Sequence, residues 1–554
     1  MPASSASPAN QPLIAADNLP AQAALAALTH LPAVEPVPAL TLSAEGRLLI
    51  VGTLDVALGW ASRLQAQREV TVLALDADAA EVAELAAENE GMVLLAGSAP
   101  SLAGHLGAFE LQWQDGAQRL QGQFDVVLDL SADALLKRVE LPPGYAAPGR
   151  DPLDQALAVI DLLAFDGEYE KPRYVSYNER LCAHGRSQKA GCNACVESCA
   201  SEAIISVGEK ISLDPYLCQG CATCTTVCPS GALSFQFPRL ADVGLALKTQ
   251  LQAWREADGA APRVLFHSSQ SGRQALRAMQ RAGQALPADV LLVEVWSADG
   301  VGLELMLGAV AFGAAQVAVF GAGSHDLAPL RKQAAIGQAV LSGLGYAGDY
   351  LCLIDAEAAD PLAALRSAAS VPLPAAEFRL LADKRTTLEF VIDHLVKQAP
   401  AKPDSLPLPA GAPFGTVSVA DACTLCMACT SACPAGALKA AADAPRLSFI
   451  ERNCLQCGLC ANTCPEQAIT LTPRLLIAER RHERVLREAE VFCCTACGKA
   501  MGAAPTILNM ISKLSGHSMF ATPEAKARLS MCGDCRVIDL IQKEDSVKAW
   551  EMTE

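Results

Sequence analysis

The distribution of cysteines constrains this chain more than any other feature of its sequence. Twenty-two cysteines occur among 554 residues. Eight lie within residues 182–228, eight within 423–464 and five within 493–535. Cys352 stands apart in the apolar stretch DYLCLID, where we expect a buried core thiol. Cysteines clustered in this way either form disulfides or bind metal.

A disulfide framework fits this chain poorly. Disulfide-dense chains are small secreted domains without a sufficient core, whereas hydrophobic residues make up 51% of this one. The N-terminal stretch MPASSASPANQPLIAADNLPAQ has no lysine or arginine and no compact apolar run, so it predicts neither a Sec nor a twin-arginine signal. We therefore expect a cytoplasmic chain with reduced thiols, in which clustered cysteines bind metal.

The block over residues 423–464 contains the bacterial ferredoxin motif Cys-x2-Cys-x2-Cys-x3-Cys-Pro twice. Three cysteines on one tight loop bind one cluster, and the fourth begins a short helix that carries its thiolate to the other cluster. Paired zinc sites also use CxxC, but the complete eight-cysteine pattern favours two [4Fe–4S] clusters. The predicted ligands of cluster 3 are Cys423, Cys426, Cys429 and Cys464. Those of cluster 4 are Cys454, Cys457, Cys460 and Cys433.

The block over residues 182–228 has the same plan with one irregular run. Nine residues replace the usual two between Cys182 and Cys192, and alanine replaces the proline after Cys199. The predicted ligands of cluster 1 are Cys182, Cys192, Cys195 and Cys228. Those of cluster 2 are Cys218, Cys221, Cys224 and Cys199.

Two questions stay open at this irregular run. If Cys182 is only a nearby loop cysteine, cluster 1 has three protein ligands; we favour ligation, because the site is otherwise one thiolate short. The insertion carries His184, Arg186 and Lys189. It either places positive charge over an anionic cluster, which tunes the potential or docks a partner, or it is a solvated loop.

The C-terminal tail has two CxxC knuckles separated by 34 residues. Four thiolates in this pattern make a closed tetrahedral site, so we predict a zinc-ribbon-like tail with one structural zinc. A rubredoxin-like iron or a two-iron cluster is the alternative. Cys493, beside a ligand, is expected to be spare. The predicted zinc ligands are Cys494, Cys497, Cys532 and Cys535.

The sequence before the cysteines predicts α/β structure. After a disordered leader over residues 1–40, strands alternate with helices over 41–165, as in a degenerate Rossmann-like domain. GTLDVALG (52–59) has one glycine of the dinucleotide fingerprint, and Asp76 ends the second strand where a ribose ligand would lie. We favour an ordinary aspartate at a strand end over nucleotide binding.

The fold class predicted for the whole chain is multidomain α/β and α+β. Two ferredoxin modules flank a small parallel α/β domain. An amphipathic helix (377–398) and a Pro-rich extended linker (399–413) precede the second module. The predicted boundaries are 166–240 for module 1, 260–372 for the α/β domain, 373–413 for helix and linker, 414–476 for module 2 and 488–554 for the tail.

Composition and missing motifs exclude several functions. With 43 basic and 60 acidic residues the net charge is −17, so nucleic acid is not an expected partner. Glu304 and Gln316 interrupt the apolar stretch 303–323, which predicts a buried helix followed by a buried strand and no membrane span. GAGS (321–324) follows that strand as a plain βα turn or, alternatively, an anion-binding loop. The sequence has no GxxxxGK[ST], HExxH or GxSxG motif.

With these residues in view, the chain resembles a group of bacterial 4Fe–4S ferredoxin-type proteins encoded beside molybdenum formate dehydrogenases. The resemblance rests on NERLCAHGRSQKAGCNACVESC (178–199), EVWSADGVGLELML (294–307) and the tail motifs CTACGKAMG, GHSMFA and MCGDCRV. The central domain is similar to the hydrogenase delta-subunit module associated with heterodisulfide reductases. That module has a cysteine-bearing cluster site, whereas this chain has GAGSHD (321–326), so no two-iron cluster is expected there.

Motifs and resemblance together imply a soluble polyferredoxin-type protein. It would relay single electrons through four [4Fe–4S] clusters, with formate dehydrogenase or a related redox enzyme as its partner. One alternative is an accessory protein for assembly or maturation of formate dehydrogenase. Another is an electron-transfer subunit of a flavin- or nicotinamide-dependent oxidoreductase. We expect an electron carrier or accessory subunit and not a stand-alone enzyme, so no catalytic residue is assigned.

Overall fold

The computed structural model describes residue 13 and residues 18–89, 91–367 and 369–542. It is a mixed α/β fold of several small sheets. Along the chain, a parallel sheet, a first cysteine module, a second parallel sheet, a second cysteine module and a four-cysteine tail follow one another. Across the described part of the chain, no helix is both long enough and apolar enough to cross a membrane.

The N-terminal unit is built on a five-stranded parallel sheet. Apolar runs in its strands are buried on both faces, as a covered parallel sheet requires. In spatial order the strands are Met92–Ala96, Glu69–Ala74, Arg47–Gly52, Val126–Asp129 and Tyr145–Ala146. One face is covered by the helices Leu54–Leu64, Ala79–Glu88 and Pro152–Leu163. The other is covered by an antiparallel sheet of Ser98–His105, Ala108–Asp115 and Gln118–Phe124.

The structure differs from the prediction of a disordered leader over residues 1–40. The helix Leu19–Ala27 packs on the helix Leu240–Glu256, and two of its alanines are fully buried there. The strand Ala39–Ala44 pairs antiparallel with Gly167–Pro172. Alanine favours helix and allows close packing, so an Ala-rich segment with a buried face is ordered. Residues 1–12 and 14–17 of that leader lie outside the described residues.

The central sheet has four parallel strands, and the chain between residues 303 and 320 folds as the sequence predicts. The helix Leu303–Ala311 is buried along its whole length, and the strand Gln316–Phe320 is also buried throughout. In spatial order the strands are Val290–Val295, Arg263–Ser268, Gln316–Phe320 and Leu351–Ile354. Further helices of this region are Leu240–Glu256, Ser271–Arg281 and Ala328–Gly343.

The predicted amphipathic helix is shorter than expected, and the predicted linker is not free. The helix begins at Lys384 and ends at Gln398. Within residues 399–413, Leu406 is 3% exposed and joins the main hydrophobic core. The strand Ser405–Pro407 adds to the sheet of the second module by pairing with Ile469–Leu476. The segment therefore packs against its neighbours, because its leucines find apolar surface to bury.

The two cysteine modules share one plan of two short helices and two antiparallel strand pairs. In module 1 the strand pairs are Val175–Tyr177 with Leu233–Phe235 and Ile204–Val207 with Lys210–Leu213, and the helices are Ala194–Glu197 and Thr223–Val227. In module 2 they are Gly415–Val419 with Ile469–Leu476 and Leu438–Ala440 with Arg446–Ile450, and the helices are Ala428–Ala432 and Leu459–Thr463. The strand Glu483–Glu488 pairs with Arg446–Ile450.

The tail lies against module 2. It contains the strands Val491–Cys493 and Ala500–Ala503 and the helices Ala504–Leu514, Pro523–Arg528 and Gly533–Gln542. The hydroxyl of Thr506 donates to the carbonyl of Thr424. The amide of Asn509 donates to the carboxylate of Glu466 at 2.9 Å. The first tail helix thus contacts the cysteine loops of module 2.

Candidate iron–sulfur and metal centres

Matching positions in three of the four cysteine motifs adopt left-handed backbone. The residue after the second cysteine has a positive φ and begins a short helix; these residues are Ala222, Met427 and Gly458. The residue before that cysteine is also left-handed; these residues are Gly220, Leu425 and Gln456. Non-glycine residues rarely adopt this conformation, which is strained. Because this conformation recurs at matching positions, the three motifs share one loop structure. Loops of this kind can surround an anion with their backbone amides.

Several amides of these loops donate to cysteine sulfur. In module 2 the backbone donors are Leu425 to Cys423 Sγ at 3.5 Å, Ala437 to Cys433 Sγ at 3.2 Å and Ala468 to Cys464 Sγ at 3.3 Å. In module 1 the hydroxyl of Thr223 donates to Cys221 Sγ at 3.6 Å. Such bonds favour the thiolate form that binds metal.

Neighbouring thiols of module 2 raise one another's pKa. Burial raises the pKa of Cys429 to about 12, and the shift is increased by Cys423, Cys426 and Cys464. Burial likewise raises the pKa of Cys460 to about 12, and the shift is increased by Cys454, Cys457 and Cys433. Cys429 also adds to the shift at Cys460, so the two groups are neighbours.

The thiols of module 1 are arranged in the same way. Burial raises the pKa of Cys195 to about 12, with further contributions from Cys228, Cys192 and Cys182. Burial raises the pKa of Cys224 well above its ordinary value, with further contributions from Cys221, Cys218, Cys199 and Cys195. Cys182 therefore lies beside the thiols predicted to hold cluster 1, although its ligand role stays a prediction.

The donor sets fit the predicted clusters. All cysteines are free thiols, and sulfur is the ligand that iron–sulfur clusters require. Four neighbouring thiols resist ionising together, whereas a positively charged centre stabilises all four as thiolates. The left-handed loops and the amide-to-sulfur bonds supply the remaining stabilisation that such a centre needs.

The nine-residue insertion is a folded hairpin. Its strands Gly185–Arg186 and Lys189–Ala190 pair antiparallel. His184 is buried, with Nδ1 lying 3.1 Å from the carbonyl oxygen of Cys192 and Nε2 lying 2.6 Å from Ser206 Oγ. Lys189 is exposed. A solvated loop therefore describes only the tip of the insertion.

Two basic residues between the modules were missed by sequence reasoning. Lys384 Nζ donates to the carbonyls of Thr225 and Thr226 at 2.9 and 2.8 Å, and lies 3.4 Å from the carboxylate of Glu304. Arg385 donates to the carbonyl oxygens of Arg452 at 2.6 Å and Cys454 at 3.4 Å. The only signal in the sequence was a pair of basic residues in the first turn of a helix, where cations are unfavourable.

The four predicted tail ligands meet. The sulfur atoms of Cys494, Cys497, Cys532 and Cys535 all lie within 4.8 Å of one another. Cys497 Sγ and Cys532 Sγ are 3.7 Å apart. A tetrahedral ion with bonds of about 2.3 Å places its sulfur ligands about 3.8 Å apart. This spacing suits a single metal ion.

The tail thiols differ in their tendency to ionise. The backbone N–H of Cys532 donates to Cys494 Sγ at 3.2 Å and lowers the pKa of Cys494 to about 6. Hydrogen bonds with Cys497 and then Cys532 raise the pKa of Cys535 to about 12. Cys493 is exposed and stands outside the group.

An acidic residue beside cluster 2 was also missed. Asp299 is 5% exposed, and burial raises the pKa of its carboxyl to about 6. Its carboxylate accepts from the hydroxyl of Ser324, and its carbonyl accepts from Thr226 Oγ at 2.6 Å. Ser324 ends the GAGS loop, so a carboxylate occupies the position that an anion would need there. The geometry favours the plain βα turn.

Asp76, the predicted ribose-ligand position, has a structural partner. Its carboxylate accepts from the backbone N–H of Leu54 at 2.8 Å. Leu54 is the first residue of the helix after the first parallel strand, where a pyrophosphate would bind in a dinucleotide site. The arrangement favours the ordinary structural aspartate over nucleotide binding.

Comparisons with known proteins identify iron–sulfur regions in both modules. Residues 422–468 match the family described as a 4Fe-4S dicluster domain, and residues 211–234 match the 4Fe-4S binding domain. Over 42 residues the chain is 48% identical to "Indolepyruvate oxidoreductase subunit IorA" of Archaeoglobus fulgidus. That match covers 8% of this chain and spans 7% of the length of the archaeal protein.

The fold and these matches define the class. The chain is an iron–sulfur protein with ferredoxin-type 4Fe–4S domains.

Proposed function

We propose that the chain is a polyferredoxin-type electron-transfer protein with four [4Fe–4S] clusters, two in each module. The observation that carries this proposal is the match of residues 422–468 to a 4Fe-4S dicluster domain and of residues 211–234 to a 4Fe-4S binding domain. The proposed ligand sets are those predicted for clusters 1 to 4, including Cys182 in cluster 1.

The chain's own part in this function is to hold, bury and separate the redox centres. When bound, each cluster supplies a site that gains or loses one electron. The buried cysteine loops exclude water, and their amides offset the negative charge that reduction adds. One-electron transfer needs no acid or base from the protein.

We propose a redox protein as the partner. The similarity to a subunit of an oxidoreductase supports this class of partner. Formate dehydrogenase is the specific candidate, and its support is the resemblance of residues 178–199, 294–307 and the tail motifs to proteins encoded beside that enzyme. A cytoplasmic location belongs to the same proposal.

For the tail we propose one structural zinc. Its support is a closed group of four sulfurs at the spacing of a single tetrahedral ion. Iron bound as in rubredoxin uses the same geometry, so elemental analysis decides between the two metals.

Anaerobic purification of the full chain from its native host tests the proposal. We expect about sixteen iron atoms and one zinc per chain. A folded protein with no more than about eight iron atoms would contradict the four-cluster function. Mass spectrometry of co-purifying proteins tests the partner: mature formate dehydrogenase supports electron transfer, whereas unmatured enzyme supports the accessory alternative. Bound flavin would instead support an oxidoreductase subunit.

A further inference from the structure

The hairpin inserted between Cys182 and Cys192 touches module 2. The strand Lys189–Ala190 contacts the helix Leu459–Thr463, which lies in the second motif of module 2. The side-chain amide of Asn462 donates to the carbonyl of Ala190 at 2.8 Å. An insertion absent from a regular ferredoxin motif therefore makes the contact between the modules.

Apolar side chains of the two modules pack together at this point. A small apolar cluster contains Ala183 from the insertion and Leu455 and Leu459 from module 2. Cys192 and Cys457 both pack against it. Cys192 belongs to the proposed ligand set of cluster 1, and Cys457 to that of cluster 4, so the interface lies between these two sites.

Gly191 is required for this approach. A Cβ at this position would lie 2.4 Å from the carbonyl oxygen of Ala183 and 2.6 Å from Leu459 Cγ. Real Cβ atoms essentially never approach other atoms so closely. Any larger residue here must displace the Ala183 carbonyl of the insertion and the Leu459 side chain of module 2.

The helix Lys384–Gln398 holds the two modules in the same arrangement. Lys384 binds two carbonyls of the helix Thr223–Val227 in module 1. The next residue, Arg385, binds the carbonyls of Arg452 and Cys454 in module 2. Adjacent side chains of one rigid element thus attach to both modules.

We infer that the insertion joins the two modules into one continuous electron path, in the order cluster 2, cluster 1, cluster 4, cluster 3. This inference rests on the proposed four-cluster function. Clusters 1 and 2 share module 1, clusters 3 and 4 share module 2, and the apolar contact at Leu459 lies between the proposed sites of clusters 1 and 4. Gly191 and Asn462 act as positioning residues, since they set the separation of the modules without binding iron.

Electron paramagnetic resonance of two double variants tests the order. Cys221→Ala with Cys426→Ala removes clusters 2 and 3, while Cys192→Ala with Cys457→Ala removes clusters 1 and 4. Each reduced chain then holds one cluster per module. We expect spin–spin splitting in the chain that keeps clusters 1 and 4, and its loss in the chain that keeps clusters 2 and 3.

Two further outcomes distinguish failure of the proposed cluster order from failure of the proposed four-cluster function. If the chain with clusters 1 and 4 holds about eight iron atoms but shows no splitting, the order is wrong and the four-cluster function stands. If the parent chain itself holds no more than about eight iron atoms, both fail. Iron anomalous diffraction from the parent chain locates the clusters independently. If cluster 2 lies nearer to cluster 4 than cluster 1 does, the proposed order is wrong.

The role of the interface is tested in the chain that keeps clusters 1 and 4. Gly191→Ala should abolish or greatly reduce the splitting while iron content is retained. The matched control is Gly59→Ala, on an exposed helix where a Cβ meets no atom within 4 Å, and it should leave the splitting unchanged. Asn462→Ala, which removes one hydrogen bond and adds no atoms, should weaken the splitting. Full splitting in both interface variants would overturn the positioning role.

Discussion

Burial and neighbouring thiols act in the same direction on the cysteines of both modules. Each raises the pKa of the thiols at the centre of the four groups. Without iron these groups are therefore held as neutral thiols, and cluster assembly must release their protons. The amides that donate to sulfur favour the thiolate form that a cluster binds.

Cys182 and Cys199 should serve different clusters, although they flank one motif. Cys182 lies with the cluster 1 thiols, and Cys199 with those of cluster 2. We therefore expect Cys182→Ser to alter the spectrum of cluster 1 and Cys199→Ser that of cluster 2, as resolved by electron paramagnetic resonance of the reduced protein. A Cys182→Ser spectrum identical to that of the parent would remove Cys182 from the ligand set.

Asp299 should make stability depend on pH. Its pKa in the folded chain is about 6, above the ordinary value of 3.8. Between these values the folded state keeps a proton that the unfolded state releases, so the stabilisation present at low pH is lost as pH rises through about 6. Asp299→Asn removes this loss. Between pH 4 and pH 7 the free energy of unfolding of the parent should therefore fall by about 2–3 kcal/mol relative to that of the variant.

Urea unfolding midpoints of the parent and Asp299→Asn, compared from pH 4.5 to 7.5, measure this effect. The control is Asp115→Asn, an exposed residue at the end of a strand of the N-terminal unit, which should follow the parent. Parallel curves for Asp299→Asn and the parent would show that the buried carboxyl does not titrate in this range.

Among the helices and loops, those determined by the local sequence could be predicted, whereas packing that depends on distant residues could not. Cysteine spacing indicated the loops, and the unbroken apolar run indicated the buried helix Leu303–Ala311. The helix Leu19–Ala27 was missed because its alanines are buried by a partner more than two hundred residues away. The packing of residues 399–413 was missed because proline-rich composition predicts extension but not what lies beneath it.

The same limit applies to prediction of the candidate site. Sixteen cysteines could be grouped from motif spacing alone, since each motif folds locally. The roles of Lys384 and Arg385 depend on carbonyls of two distant modules, and nothing in a single sequence pairs them. The insertion was visible, but its contact with Leu459 required the tertiary fold.

The tail should depend on its metal as an independent element. The last helix that the structure describes, Gly533–Gln542, has no buried residue, so we expect the proposed four-thiolate ion to be its main source of stability. Cys497→Ser should release the zinc and expose residues after about 490 to protease, while the iron spectrum is retained. Cys493→Ser, which changes an exposed thiol outside the group, is the matched control and should resist cleavage. Loss of iron together with zinc would show that the tail supports module 2.

Over the whole molecule, the two cysteine modules are held in place by neighbouring elements of the chain. The helix Lys384–Gln398 attaches to both, and the tail rests on module 2 through Thr506 and Asn509. Of the proposed ligands, Cys426 of cluster 3 is exposed, whereas Cys224 of cluster 2 is buried. The proposed path therefore meets solvent at cluster 3, and a partner approaching this end meets the field of a strongly acidic protein.

That field should control reduction by small charged donors. The net charge of −17 attracts cations and repels anions, and salt screens both effects. Reduction by the cationic methyl viologen radical should slow by roughly tenfold as ionic strength rises from about 0.01 M to about 0.5 M. Reduction by anionic dithionite should become faster over the same range. Stopped-flow measurement of cluster bleaching gives both rates, and a neutral mediator serves as the control. If both charged donors respond to salt in the same direction, the acidic surface does not govern electron entry.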